Sequence, residues 1–110
     1  MNNFMEINNF LQIETRIVEV LKTVYDPEIP VNVYDLGLIY DVNVDDSNSA
    51  TITMTLTAPN CPLADFIVNS VKESVETIEE VKNVSINLVF DPPWSKNMMS
   101  EEALLELGFL

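Results

Sequence analysis

The chain has 110 residues, of which 47% are hydrophobic and 21% are charged, a size and composition typical of one globular domain with a single core. Eighteen acidic residues against five basic ones give a net charge of −13, and a surface of this sign repels nucleic-acid phosphates and anionic lipid. No apolar run approaches the ~18 residues of a membrane span and the N-terminus lacks a secretory-signal pattern, so we expect a cytoplasmic protein with neither nucleic acid nor membrane as partner.

The first predicted helix is indicated by apolar residues spaced by four, four and three, which form one helical stripe. They are Ile13, Ile17, Leu21 and Val24. The helix is expected to stop near Tyr25, because Pro27 disfavours helix in the residue before it. The segment DPEIPVNVYDLGL then forms a long connection. Gly37, one of only two glycines, is expected to adopt a positive φ there.

Strands are predicted over 39–45 and 50–57, where apolar and polar residues alternate, and the DDSNS turn at 45–49 pairs them antiparallel. An amphipathic helix over 63–78 and a third strand over 84–90 follow. Ser100 is expected to cap a last helix that stops at Gly108. The order α-β-β-α-β-α predicts one α/β (α+β) domain over 1–110, with a mixed three-stranded sheet covered on one face by the second helix. Residues 1–13 could form a flexible extension.

Cys61 is the only cysteine, which excludes a disulfide within the chain and fits a reducing compartment. It lies between Asn60 and Pro62, where the second strand gives way to the second helix. Because proline favours the first helical position, Cys61 is expected to be the N-cap, with a modestly depressed thiol pKa and a solvent-accessible sulfur. Asp65, one turn further on, would oppose a thiolate. A lone cysteine is also often a small buried hydrophobe.

Conventional catalysis is not expected of this chain. It has no histidine to activate a thiol, and two glycines cannot build a phosphate loop. One thiolate cannot complete a zinc site or hold an iron–sulfur cluster, which needs about four protein ligands. A metal at Cys61 would need ligands from carboxylates, a second copy or a partner. Asp26, Glu28 and Asp35 could serve, but they could equally form turns.

Three stretches together resemble one known family. They are YDPEIPVNVYDLGLIYDV (25–42), TLTAPNCP (55–62) and DPPWSKNMMSEEALLELG (91–108). They are similar to the signature segments of the SufT/PaaD-like family, whose domain is also called the MIP-eighteen or metal–sulfur cluster biosynthesis domain. The resemblance covers nearly all of the chain after residue ~14, and three ordered motifs in one small domain are more specific than one.

The resemblance implies an accessory role in iron–sulfur cluster assembly or delivery to recipient proteins, with Cys61 as the reactive thiol. It implies partners among assembly proteins or recipient apoproteins, and a possible homodimer. Iron or a cluster would be bound only transiently, with ligands from another chain. The surrounding loop residues are then Asp26, Glu28, Asp35, Gly37, Thr57, Pro59, Asn60, Pro62 and Asp65, and the family's tryptophan falls on Trp94.

Other interpretations remain open from the sequence. The layout is also similar to NifU-type scaffold domains, whose C-x-x-C motif has Ala58 in its first position here. The protein could be a thiol-dependent redox or enzyme accessory protein that acts through Cys61 alone. It could also be a pure interaction module, such as a PaaD-like partner of an oxygenase system. In that case Trp94, Met98 and Met99 would form an apolar docking surface, although these residues could equally close the core.

Overall fold

The computed structural model describes residues 3–59 and 62–110, with only the backbone of residues 3–9. Helix α1 spans Asn3–Leu21, and the predicted stripe is confirmed because Ile13, Ile17 and Leu21 are buried. The helix begins inside the segment for which a flexible extension was considered. It ends four residues before Tyr25, and a tighter turn follows in which the amide of Val24 donates to the carbonyl of Leu21 (3.2 Å).

Strands β1 (Ile39–Val44) and β2 (Ser49–Met54) form the predicted antiparallel hairpin. Their turn is built by Asp45, whose Oδ1 accepts hydrogen bonds from the amides of Ser47 (2.9 Å) and Ser49 (3.0 Å). Strand β3 (Asn83–Leu88) pairs parallel to β2, which gives the strand order β1-β2-β3. The predicted mixed three-stranded sheet is therefore confirmed.

One face of this sheet carries the core. In β2, Ala50, Ile52 and Met54 point to the buried face, whereas the alternate threonines are partly exposed. Helix α2 (Ala64–Glu76) buries Ile67, Val71 and Val75 and contacts β3, while α1 contacts β1 and α2. The two long helices thus cover one face. The opposite face carries Asp41, Asn43, Thr51, Thr53, Ser85 and Asn87.

The start of α2 differs from the prediction. The N-cap is Leu63, whose carbonyl accepts from the amide of Ile67 (3.0 Å), and no side chain caps the helix. The assignment of Cys61 as N-cap and Pro62 as first helical residue is therefore wrong. Proline fixes only its own φ, and Leu63 has a φ of −104° and a ψ of 19°, so the helix starts later than the proline.

The C-terminal part contains a 3₁₀ helix at Lys96–Met98, which the sequence did not predict, and helix α3 (Glu101–Glu106). The predicted cap is confirmed, because the Ser100 hydroxyl accepts from the amide of Ala103 (3.1 Å). Gly108 has a positive φ of 84° just after the helix. The order α-β-β-α-β-α is thus the observed one.

Candidate functional site

Two connections that carry predicted site residues meet the sheet at the end where β1 begins and β2 and β3 end. The amide of Thr55, directly after β2, donates to the carbonyl of Leu38, directly before β1 (2.8 Å). The amide of Val89, directly after β3, donates to the carbonyl of Met54 (2.8 Å). The connection that carries Cys61 therefore leaves the sheet beside the end of the proline-rich loop.

Cys61 and Asn60 lie outside the described residues, so the predicted accessibility of the sulfur stays a prediction. Their neighbours Thr57, Pro59 and Pro62 are exposed, and Asp65 is exposed in the first turn of α2. Because α2 starts at Ala64, Cys61 precedes the N-cap by two residues in sequence. Cys61 is therefore not at the N-cap, the position from which a depressed thiol pKa was expected.

The proline-rich loop over 25–38 is held in place by apolar anchors. Val33, Leu36 and Leu38 are fully buried in the core. The loop is closed by an isolated antiparallel bridge between Tyr25 and Asn32. A loop with this many buried anchors presents its polar residues in fixed positions.

Asp26 uses its carboxylate to build this loop. Its Oδ1 accepts hydrogen bonds from the amides of Glu28 (2.8 Å) and Ile29 (3.0 Å), and its own amide donates to the carbonyl of Val31 (3.2 Å). The residue is buried, whereas Glu28 is exposed. The turn-forming interpretation therefore accounts for Asp26, since one of its oxygens is already satisfied within the loop.

Asp35 is bound to Asn32 by two hydrogen bonds. The side-chain amide of Asn32 donates to Asp35 Oδ2 (2.9 Å), and the Asp35 amide donates to Asn32 Oδ1 (2.8 Å). The Asp35 carbonyl also accepts from the amide of Ser100 (2.8 Å), which joins the loop to the N-terminus of α3. Sequence reasoning missed Asn32. Its position three residues before Asp35, typical of an Asx-type turn, was the available signal.

Gly37 has the predicted positive φ, at 86°. A Cβ at this position would stand 2.8 Å from the carbonyl carbon of Met98, closer than real Cβ contacts allow. The glycine therefore permits both the backbone angle and the close approach of the C-terminal segment.

Trp94 and Met98 fold back onto the same loop. The indole Nε1 of Trp94 donates to the carbonyl of Leu36 (2.8 Å), and the half-buried ring packs against the core. The Met98 sulfur lies 3.4 Å from the hydroxyl of Tyr40, which is also 2.8 Å from the carbonyl of Pro92. Met99 is buried, which agrees with the interpretation that this residue closes the core rather than docking a partner.

A groove runs between the loop and the C-terminal segment. Its larger hollow, about 650 Å³, is lined by Tyr34, Asp35, Gly37, Ile39, Tyr40, Pro92, Met98 and Ser100. A neighbouring hollow, about 330 Å³, is lined by Tyr25, Pro30, Val31, Asn32, Asp35, Glu102, Ala103 and Glu106. Asp35 lines both. Tyr34, Tyr40, Glu102 and Glu106 were not predicted as site residues, because only the folded chain brings them together.

Among the described residues, no group of three or more histidine, cysteine, aspartate or glutamate side chains is arranged to hold a metal ion. The structure brings Asp35, Gly37, Trp94 and Met98 together and connects Asp26 to them through the loop. No helix in the described part of the chain has the length and hydrophobicity needed to cross a membrane.

Residues 14–87 match the family described as iron–sulfur cluster assembly protein. The chain belongs to this family. The matched range contains the proline-rich loop and the connection that carries Cys61, and it ends before Trp94 and Met98.

Three similar proteins match between 77% and 94% of this chain. The Fe-S protein maturation auxiliary factor of Porphyromonas gingivalis is 65% identical over 103 residues, which are 94% of this chain and 98% of that protein. The Fe-S protein maturation auxiliary factor SufT of Staphylococcus aureus is 44% identical, over 77% of this chain and 97% of that protein. The crystal structure of a domain of unknown function (DUF59) from Bacillus anthracis has a TM-score of 0.88 at 41% identity, over 94% and 99% of the two chains.

Proposed function

We propose that this protein is an accessory factor that assists the assembly of iron–sulfur clusters or their delivery to recipient proteins, with Cys61 as its essential thiol. The observation that carries the proposal is the family match over residues 14–87, a range that contains Cys61 and the acidic loop. The maturation-factor names of two relatives support the same role. The reducing cytoplasm, which keeps a single thiol free, is the proposed setting.

The number of available ligands determines how a cluster could be handled. The chain has one cysteine and no histidine, whereas a cluster is held by about four protein ligands. Carboxylates are poor replacements, because iron in a sulfide cluster prefers soft thiolates. Asp26 and Asp35 moreover already accept hydrogen bonds within the loop. The cluster is therefore cargo, shared briefly between two copies of this chain or between this chain and a carrier.

The geometry supports a role in presentation rather than autonomous catalysis. The connection with Cys61 leaves the sheet at Thr55, beside the buried anchor Leu38. The proline-rich loop ends at Leu38, and together with the C-terminal segment it forms an open groove next to Asp35. A pre-formed groove suits transfer between proteins, because the partner can be positioned without reorganising the fold.

The test is complementation with a near-isosteric variant. In cells that lack the protein, Cys61→Ser should leave the activity of an iron–sulfur recipient enzyme as low as in cells with no protein. Ser47→Ala, an exposed change in the turn between β1 and β2, should restore it. Thermal unfolding of both purified variants should match wild type. Recovery of recipient activity with Cys61→Ser would contradict the proposed role of the thiol.

A second measurement addresses the cargo. After reconstitution and anaerobic gel filtration, the monomer identified by light scattering should contain far less than one cluster per chain, because the chain supplies a single thiolate. A monomer with a stoichiometric amount of iron and sulfide would show that the ligand argument is wrong.

A further inference from the structure

The groove has two chemically different halves. The larger hollow is mainly apolar, with Ile39, Tyr40, Pro92 and Met98 in its lining. The smaller hollow presents carboxylates on one side, from Asp35, Glu102 and Glu106. Asp35 belongs to both, so the two halves form one continuous surface, here called the acidic groove.

The walls of the acidic groove are held together by contacts between distant parts of the chain. The Ser100 amide donates to the Asp35 carbonyl (2.8 Å), and the Tyr40 hydroxyl lies 2.8 Å from the Pro92 carbonyl. Gly37 lets the Met98 backbone approach closely. A surface formed in this way is present before any partner arrives, which reduces the ordering cost of binding.

Charge decides which partner fits this surface. No lysine or arginine is among the described residues that line either half. Lys22 lies at the margin, with Nζ 5.4 Å from the centroid of the Tyr34 ring. With a net charge of −13, the chain attracts cationic partners over a range set by the ionic strength.

Other occupants fit the groove less well. The described residues offer no group of ligands for a metal ion, and nucleic acid is repelled by the acidic surface. A second copy of this chain brings the same net charge of −13 and so lacks the complementary charge. The apolar hollow has the volume range of about 300–1,000 Å³ that accepts ligand-sized groups.

We propose that the acidic groove docks an extended segment of a partner protein in which a large aliphatic side chain lies close to arginine or lysine. The aliphatic side chain contacts Tyr40 and Met98, and the cation lies among Asp35, Glu102 and Glu106. The proposal deepens the proposed function in one respect, since it rests on that function for taking the partner to be an assembly or recipient protein.

Fluorescence anisotropy tests the docking with a defined probe. The probe is a fluorescein-labelled nonapeptide in which two leucines alternate with three arginines, and its counterpart carries glutamates in place of the arginines. Wild type should bind the basic peptide, and binding should weaken as salt is raised. The acidic peptide should not bind.

Two matched double variants distinguish the effect of the groove carboxylates on peptide affinity from the effect of net charge. Glu102→Gln with Glu106→Gln removes two carboxylates from the lining and should weaken binding about three- to tenfold, as expected for two partly solvated charge contacts. Glu101→Gln with Glu73→Gln removes the same charge from exposed positions outside the lining and should leave the affinity within about twofold. Met98→Gln tests whether the apolar half of the groove contributes to peptide binding. Thermal unfolding checks that this variant is folded.

The outcomes are distinct. The proposal would be overturned if the two double variants bound the basic peptide with equal affinity. It would also be overturned if wild type bound the acidic peptide as tightly as the basic one. The absence of binding by wild type at 1 mM protein would overturn it too, as would a dimer in sedimentation that Met98→Gln dissociates, since the occupant would then be a second copy. Cys61→Ser should bind the peptide as wild type does. If Cys61→Ser loses cluster delivery but still binds the peptide, the role of the thiol and the docking of the peptide are shown to be separate properties.

Discussion

Gly37 combines a positive φ of 86° with direct contact between its backbone and that of Met98. The first property is local, because a residue with a Cβ loses about 1–2 kcal/mol in this conformation. The second arises only in the folded chain, where Met98 comes from a distant segment. The two contributions can be separated, because Gly108 has a similar φ of 84° and open space around it.

We therefore expect Gly37→Val to lower the free energy of unfolding more than Gly108→Val does. Gly108→Val carries only the conformational penalty, about 1–2 kcal/mol or less where the chain end can relax. Gly37→Val adds a collision with the Met98 backbone, worth about 1–3 kcal/mol by analogy with overpacked cores. Urea denaturation of both variants measures the difference. Equal losses would show that the Met98 segment moves aside without cost.

The positive φ of Gly37 could be predicted from the sequence, because a chain with only two glycines places one in a turn for a reason. The contact with Met98 could not. Nothing near residue 37 indicates which distant segment covers it. For the same reason the sequence could not decide whether Met99 docks a partner or closes the core, and the fold buries it.

Among the elements, the helix ends show how local signals succeed or fail. Helix α3 begins after its N-cap, Ser100. The hydroxyl of this serine accepts a hydrogen bond from the amide of Ala103 (3.1 Å). Helix α2 has no side-chain cap and begins after Leu63. A cap made by the serine itself is a short-range signal and was predicted correctly. A proline near a helix is a weaker signal, since it does not determine the conformation of the residue that follows.

Ser100→Ala should lower the free energy of unfolding by about 1 kcal/mol, because it removes the only side-chain acceptor at the α3 amides among the described contacts. Ser95→Ala is the matched control. Ser95 precedes the 3₁₀ helix without a side-chain cap, and its replacement should change stability by less than about 0.5 kcal/mol. Thermal unfolding compares the two. A similar effect of both changes would exclude a specific role for the cap.

Most elements and the hairpin could be predicted, because alternation and helical spacing are properties of contiguous residues. The DDSNS turn also predicted the antiparallel pairing of β1 and β2. The exact register could not be predicted, nor the 3₁₀ helix at Lys96–Met98. The acidic groove could not be predicted from the sequence either, because its lining combines residues near 35 with residues near 100.

At the scale of the whole molecule, net charge is the dominant property. The carboxylate of Glu80 shows how the stability of the fold depends on the ionisation of one group. The pKa of Glu80 is lowered from its ordinary value of 4.5, first by a hydrogen bond from its own backbone amide and next by the side chain of Arg16. Arg16 lies on α1 and Glu80 follows α2, so the pair connects α1 to the segment between α2 and β3.

The lowered pKa gives the sign of a pH effect. A carboxyl whose pKa is lower in the folded state stabilises the fold above its unfolded pKa, and this contribution is lost as the pH falls through the folded value. Glu80→Gln should therefore be less stable than wild type at neutral pH and approach it in acid, below 4.5. Arg16→Gln should raise the Glu80 pKa only in part, since the backbone hydrogen bond remains. Carboxyl NMR titration and urea denaturation across pH measure both effects. A constant difference between Glu80→Gln and wild type would contradict the assignment.

The attachment of the C-terminal segment also bears on the order in which the molecule opens and closes. Trp94 and Tyr40 reach across 58 and 52 residues of sequence to Leu36 and Pro92. Contacts of such long sequence separation form late in folding, because the intervening chain must first be ordered. We therefore expect the tail from Trp94 onward to detach before the sheet opens. Its amides would exchange with solvent faster than those of β2, and the acidic groove would exist only while the tail is docked.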